Sequence, residues 1–311
     1  MKNIIEIKSL NKIYNLNKLQ EVRALNNLYL EIPKGTIFGL LGSNGAGKST
    51  LINIIAGLTK KTSGSIRVLG LDLEKKMRLI KSFVGVVPQE LNFDPFLSPR
   101  ESLEIQAGLF GIKKRYRRTT EILKALDLFR KADTYSRTLS GGMKRRLLIG
   151  KALVHSPKIL ILDEPTAGVD VELRELLWAY IKQLNENGTT IILTTHYLEE
   201  AQALCDRIGI IDKGKLVSKG KTKDLLYSLD KKTLIVKTSE ILKTIPEVPK
   251  NILISKVNND ELIFTYAPSE YNTQTLIDVC INNKIQIKEI SSKDVDLQDV
   301  YLSAVKKNLS E

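Results

Sequence analysis

The sequence predicts an α/β fold with a mainly parallel sheet, a helical insertion and a small C-terminal α+β appendage. Three observations carry this. The run Ile159-Leu160-Ile161-Leu162 is apolar on both faces, as a central parallel strand requires. Short apolar runs alternate with helical patterns, the signature of a parallel α/β sheet. Past about residue 225 the texture changes to short alternating runs between polar loops.

Taken in order, residues 4–8 and 28–32 read as strands separated by a polar turn region from Asn11 to Arg23. Thr36 to Leu41 is a buried strand, and Leu51 to Ala56 continues as a helix ended by Gly57. Residues 83–87 form a short strand that stops at Pro88-Gln89. From Ser98 to about Ser156 the pattern is helical. It opens on a capping serine, a proline at the first helical position and Glu101 completing a capping box. A second helix follows Thr119, with Ile122, Leu123, Leu126, Leu128 and Phe129 as its apolar stripe, and a third runs from Met143 to Val154. After strand 159–162 come a helix from Val171 to Asn187, with Trp178 expected in the core, and a strand from Thr190 to Thr194. The runs 233–237, 252–257, 261–266 and 285–290 and a helix from Leu297 to Lys307 make the appendage. The expected division is residues 1–224, with the helical insertion at about 95–156, and residues 225–311.

With 311 residues the chain has room for one large core and one small one. No apolar run approaches the roughly eighteen residues of a membrane span and no signal peptide begins the chain, so a cytoplasmic protein is expected. Cys205, on an apparent helix, and Cys280 read as buried, inert thiols. With only two histidines, a histidine–cysteine zinc site has too few ligands. The net charge of +13 is uneven, because residues 113–151 hold 13 basic residues against 3 acidic ones. A solvated helix face, a nucleic-acid backbone or an anionic membrane surface would each suit that segment.

The centre of the chain is Gly42-Ser43-Asn44-Gly45-Ala46-Gly47-Lys48-Ser49-Thr50, which matches G-x-x-x-x-G-K-[ST] between a strand and a helix. Glycines let successive backbone N–H groups turn around an anion, and the following helix adds its positive end. Lys48 supplies a point charge for the outer phosphates, and the Ser49 hydroxyl is suited to a magnesium ion. This is a nucleoside-triphosphate site. Asp163 and Glu164 end the buried strand 159–162, where ligands bind in such sheets. Asp163 is placed to hold magnesium through its water shell, and Glu164 to polarise attacking water as a general base.

Tyr14, the loop 42–50, Gln89, Leu139-Ser140-Gly141-Gly142, Asp163-Glu164, Gly168-Val169-Asp170 and His196 occur in the order and approximate spacing of an ATP-binding cassette (ABC) ATPase, a P-loop NTPase. The resemblance covers residues 4 to about 222. The absence of an Asn-Lys-x-Asp motif speaks against a GTPase. The resemblance implies ATP and Mg2+ as cofactors, with Ser140-Gly141-Gly142 facing the γ-phosphate bound on a second copy in a head-to-tail homodimer. By the same resemblance, His196 touches the γ-phosphate and the attacking water. Gln89 contacts magnesium and links the nucleotide to the helical insertion, Tyr14 stacks on adenine, and Asp170 lines the dimer seam. Met143 departs from the glutamine many members carry, and Gly168-Val169-Asp170 is not the commonest wording of its loop.

One ATPase unit without membrane spans reads as the separate ATP-binding subunit of an exporter-type ABC transporter. It would dock from the cytoplasm beneath an integral membrane permease, with residues 89–111 bordering the coupling surface and 113–118 facing lipid headgroups or the permease. The competing class is a soluble, non-transport ABC ATPase acting on ribosomes or nucleic acid. Paired ATPase units or long heptad arms would mark that class, and the sequence has neither.

Overall fold

The computed structural model describes residues 2–310 other than 17–19, 91, 168, 170, 243–244 and 259. The chain forms two compact units, residues 1–222 with 307–311, and residues 223–306.

In the first unit, β1 (Asn3–Tyr14) and β2 (Val22–Pro33) pair antiparallel and run further than 4–8 and 28–32. The stretch expected as a turn supplies ladder residues, with Tyr14 opposite Val22. Backbone pairing does not need apolar side chains. The ladder's irregularities are met by Asn11, whose Oδ1 accepts from the Asn27 amide at 2.8 Å. Next come β3 (Ile37–Leu41), buried throughout, and α1 (Lys48–Ile55). The strands β4 (Ser63–Val68) and β5 (Leu71–Asp72), which no apolar run announced, extend the first sheet in the order β2-β1-β4-β5. Then follow α2 (Met77–Lys81) and β6 (Val84–Val87).

The insertion holds α3 (Pro99–Leu109), α4 (Thr119–Ala125) and α5 (Gly141–Leu153). The expected capping box at Ser98 and Glu101 forms. Gly150 lets α5 approach its neighbours closely: a Cβ there would lie 3.1 Å from Leu126 and 3.3 Å from Leu103. Beyond it run β7 (Ile159–Asp163), α6 (Val171–Glu186), β8 (Thr190–Thr195), α7 (Leu198–Leu204), β9 (Arg207–Asp212), β10 (Lys215–Lys221) and α8 (Thr222–Tyr227). The six-stranded sheet has the order β10-β9-β3-β8-β7-β6, parallel except for β10. Ile5, Leu30, Phe38, Leu51, Ile55, Ile66 and Ile161 belong to one buried core spanning both sheets and α1.

Two core readings change. Trp178 is half-buried rather than enclosed, because its indole N–H needs a partner and donates to Glu200 Oε1 at 3.1 Å. Cys205 lies just past the end of α7 rather than on a helix; it is buried, and burial pushes its thiol far above the ordinary range.

The second unit contains most of α8, then β11 (Lys232–Thr238), β12 (Leu253–Asn258), β13 (Glu261–Tyr266), α9 (Thr273–Asn282), β14 (Ile287–Asp294) and most of α10 (Leu297–Ser310). Its antiparallel sheet runs β12-β13-β11-β14 over a core of Leu234, Val236, Leu262, Phe264, Leu276 and Cys280. Helix α9 lies in a stretch whose sequence pattern predicts polar loop. Asn272 caps it, accepting from the Thr275 amide at 2.9 Å, and Leu276 and Cys280, four residues apart, are its buried positions.

Candidate nucleotide site

The strands β3, β8, β7 and β6 are consecutive neighbours, and their registers align Leu41 with Thr195, Asp163 with Thr194, and Val87 with Leu162. Gly42, His196, Glu164 and Gln89 therefore follow the carboxyl ends of four adjacent strands. Residues separated by more than a hundred positions share one rim.

The glycine loop is held by its surroundings. At Gly42 a Cβ would lie 2.4 Å from the Ile211 carbonyl oxygen. Gly47, at φ 111°, is the N-cap of α1 and offers no side chain to the first-turn amides, which leaves them for an anion. Lys48 Nζ donates to the carbonyls of Gly42 at 2.7 Å and Ser43 at 3.0 Å. Burial pulls this ammonium below its ordinary pKa, and the charges of Glu164 and Asp163 oppose that shift. The cation thus lies in the field of both carboxylates. Ser43, Asn44, Gly45 and Ser49 are exposed, Thr50 is half-exposed, and Ala46 is buried. The uncapped amides, the buried lysine and the exposed Ser49 hydroxyl fit a magnesium-bound triphosphate.

Glu164 adopts the left-handed conformation (φ 48°), with its amide donating to the Thr194 carbonyl at 3.1 Å. That turn breaks the alternation that would send Asp163 and Glu164 to opposite faces. Thr194 Oγ1 also donates to Asp163 Oδ1. Both carboxylates are buried. Gln89 Nε2 donates to Glu164 Oε2 at 3.0 Å, and His196 Nδ1 lies 3.0 Å from Oε1. An ionised carboxylate only accepts, so Nδ1 carries a proton in this contact. Gln89, Glu164 and His196 form one hydrogen-bonded cluster at the rim.

Ser140 and Gly141 are exposed at the start of α5, where Ser140 Oγ accepts from the Met143 amide at 3.3 Å. Gly142 is partly buried in the first turn. Tyr14 ends β1 and is 36% exposed, enough to offer a ring face, with Lys12 Nζ 4.5 Å from its centroid. Asp170 and Gly168 lie outside the described residues. No cluster of three His, Cys, Asp or Glu side chains suited to a metal occurs among the described residues. Sequence reasoning missed Thr194, which bonds Asp163, and Glu200, which accepts from both Thr166 and Trp178. It also missed Arg145, a buried arginine bonded to the main chain of Glu164. An arginine followed by the apolar run 147–149 in α5 was the available signal.

A strand–glycine loop–helix unit beside paired carboxylates defines a nucleoside-triphosphatase of the P-loop class. Residues 25–167 match the ABC transporter family. The linearmycin resistance ATP-binding protein LnrL of Bacillus subtilis is 43% identical over 213 residues, which cover 68% of each chain. The Nod factor export ATP-binding protein I of Mesorhizobium japonicum is 33% identical over 92% of this chain and 84% of its own. Among solved structures, a dimeric ATP-binding cassette in a post-hydrolysis state with ADP and Pi superposes with a TM-score of 0.63 at 29% identity, covering 70% of this chain and 98% of that one. The chain belongs to the ABC transporter family of ATP-binding proteins, and it is an ATPase.

Proposed function

We propose that this chain is the ATP-hydrolysing subunit of an exporter, working as a homodimer that closes on ATP beneath a separate membrane permease. The observation that carries the hydrolytic assignment is the grip of Gln89 and His196 on the two oxygens of Glu164, beside the Lys48 loop. In this reading the amides of Gly42 to Thr50 cradle the phosphates and Lys48 neutralises the outer ones. Ser49, Gln89 and Asp163 hold Mg2+, which when bound offsets charge on the phosphate oxygens. Glu164 takes the proton of the attacking water, and His196 lies beside the γ-phosphate. Ser140, Gly141 and Gly142 of the second copy close the site, Asp170 lines the seam and Tyr14 stacks on adenine. Closure between two helix N-termini gathers donors where charge develops and sheds water.

The exporter role is supported by relatives named for Nod factor export and linearmycin resistance. No helix among the described residues is long and apolar enough to cross a membrane; in this reading the translocation path is supplied by the permease. A groove of about 330 Å3 beside the Gln89 loop, lined by Leu58, Val86, Pro88, Asn92, Gln106 and Phe110, suits a docking segment of that permease. The protein would thus sit at the cytoplasmic face of the membrane, with residues 225–311 as an accessory unit and Lys113 to Arg118 facing lipid or permease.

The test is Glu164→Gln in saturating MgATP, followed by size-exclusion chromatography with light scattering. Accumulation of a nucleotide-filled dimer is expected. A strictly monomeric protein, alone and with membranes holding its permease, would refute the reading.

A further inference from the structure

Arg145 lies on α5 just past the Ser140-Gly141-Gly142 opening and is only 3% exposed. Its guanidinium reaches two strand ends at once. Nη1 donates to the carbonyls of Pro88 at 2.7 Å and Gln89 at 3.0 Å, beyond β6. Nε donates to the Pro165 carbonyl at 3.0 Å, and Nη2 to that of Glu164, beyond β7. All four acceptors are main-chain oxygens. Burial pulls this guanidinium below its ordinary pKa, while the charges of Asp163, Glu164 and Glu200 hold it charged.

A buried cation bonded only to carbonyls is costly, and packing alone would be served more cheaply by an apolar side chain. The arrangement uses what arginine alone provides, a planar fork of fixed donors that can bridge separate segments. A lysine offers one nitrogen and cannot span both strand ends.

We infer that Arg145 is the positioning residue that ties the Ser140-Gly141-Gly142 helix to the main chain carrying Gln89 and Glu164. When that helix start seats on the triphosphate bound to the opposite copy, the carbonyl staple sets the base and the glutamine of its own chain in register with the nucleotide on its own Lys48 loop. Hydrolysis is thereby tied to closure. This rests on the closed-dimer reading above. It adds a residue that touches neither nucleotide nor water and acts through Glu164.

The test compares Arg145→Lys and Arg145→Met in the full chain with Glu164→Gln. Nucleotide affinity comes from a fluorescent ATP analogue, kcat and KM from steady-state hydrolysis, and assembly from light scattering in MgATP. Misplacing a positioned group by about 1 Å costs on the order of 10²-fold in rate. Both variants should therefore lose about that in kcat, with KM and analogue affinity within about threefold of the parent. Lysine should not rescue. Both should accumulate in MgATP as the same dimer as Glu164→Gln, clasped but uncleaved. A purely structural arginine would not produce this trapped dimer.

The inference is overturned by near-parental kcat, by variants that stay monomeric while Glu164→Gln dimerises, or by failure of both variants to fold. If methionine alone prevents folding, Arg145→Lys decides. If Glu164→Gln itself stays monomeric, the closed-dimer reading has failed, and the kcat-against-KM split still judges Arg145.

Discussion

Two glycines of the phosphate loop have positive φ, and the structure assigns them unequal sensitivities. Gly45, at φ 80°, has nothing within 4 Å of the position a Cβ would take. Gly45→Ala therefore meets only the left-handed backbone penalty, about 1 kcal/mol. Gly47, at φ 111°, would place its Cβ 2.5 Å from the Ala24 carbonyl oxygen and 3.0 Å from Leu25 Cδ2. Ala24 sits at an irregularity of the β1–β2 ladder, held between Leu25 and Arg23, which pair with Lys12 and Ile13, so its carbonyl has little room to swing away. Adding the strain of a sparsely populated backbone region to overpacking gives about 3–5 kcal/mol for Gly47→Ala. At about 2–4 °C per kcal/mol for a unit of this size, the melting temperature should fall by roughly 6–20 °C, against about 2–4 °C for Gly45→Ala. Trp178 is the single tryptophan and lies in the unit that holds the loop, so its fluorescence follows that unit's unfolding alone. Equal shifts for the two variants, or a larger one for Gly45→Ala, would show that the contact with Ala24 does not confine the loop.

Lys48→Ala removes the donor to the Gly42 and Ser43 carbonyls and the cation facing Asp163 and Glu164, and ATPase kcat should fall by about 10²–10³-fold. A steady-state phosphate-release assay measures it. His155 stacks on Phe110 at 3.9 Å, and burial holds its pKa below the ordinary 6.5. Its contribution to stability is therefore complete above pH 6.5 and lost as pH falls through the folded-state pKa. His155→Phe should flatten the decline of the tryptophan-monitored melting temperature between pH 7.5 and 5.5. Ser140→Asp keeps a good helix cap but sets a negative charge against a triphosphate. In the Glu164→Gln background it should leave the melting temperature within about 2 °C while abolishing the MgATP-dependent dimer seen by light scattering.

Sequence legibility followed the physics of each feature. The glycine loop was legible because its function fixes residue types at adjacent positions, and strand 159–162 because burial on both faces demands an unbroken apolar run. The strands β4 and β5 stayed hidden, since a sheet edge is defined by backbone pairing, which most side chains permit. The resemblance named Gln89, Glu164 and His196 one by one, but the grip of Gln89 and His196 on Glu164 was not legible. Nothing local to Gln89 says that it lies 3.0 Å from a carboxylate 75 residues away. Arg145 and Glu200 were missed for a further reason: charged residues are read as surface unless a partner is known, and their partners come from distant elements.

Ser140 shows how a local signal and a functional one coincide without conflict. A hydroxyl has one O–H to donate and lone pairs to accept. In the single chain a lone pair already takes the Met143 amide, which fixes the start of α5. The O–H is not consumed by that cap and can turn to a phosphate oxygen brought by a second copy, so closing the dimer need not uncap the helix. The same helix, one turn further on, holds the carbonyls of Gln89 and Glu164 through Arg145. A helix that is capped before its ligand arrives, and stapled to the base beyond its first turn, can report the ligand's arrival as a small rigid displacement. That is the arrangement an ATPase needs if hydrolysis is to wait for its second subunit.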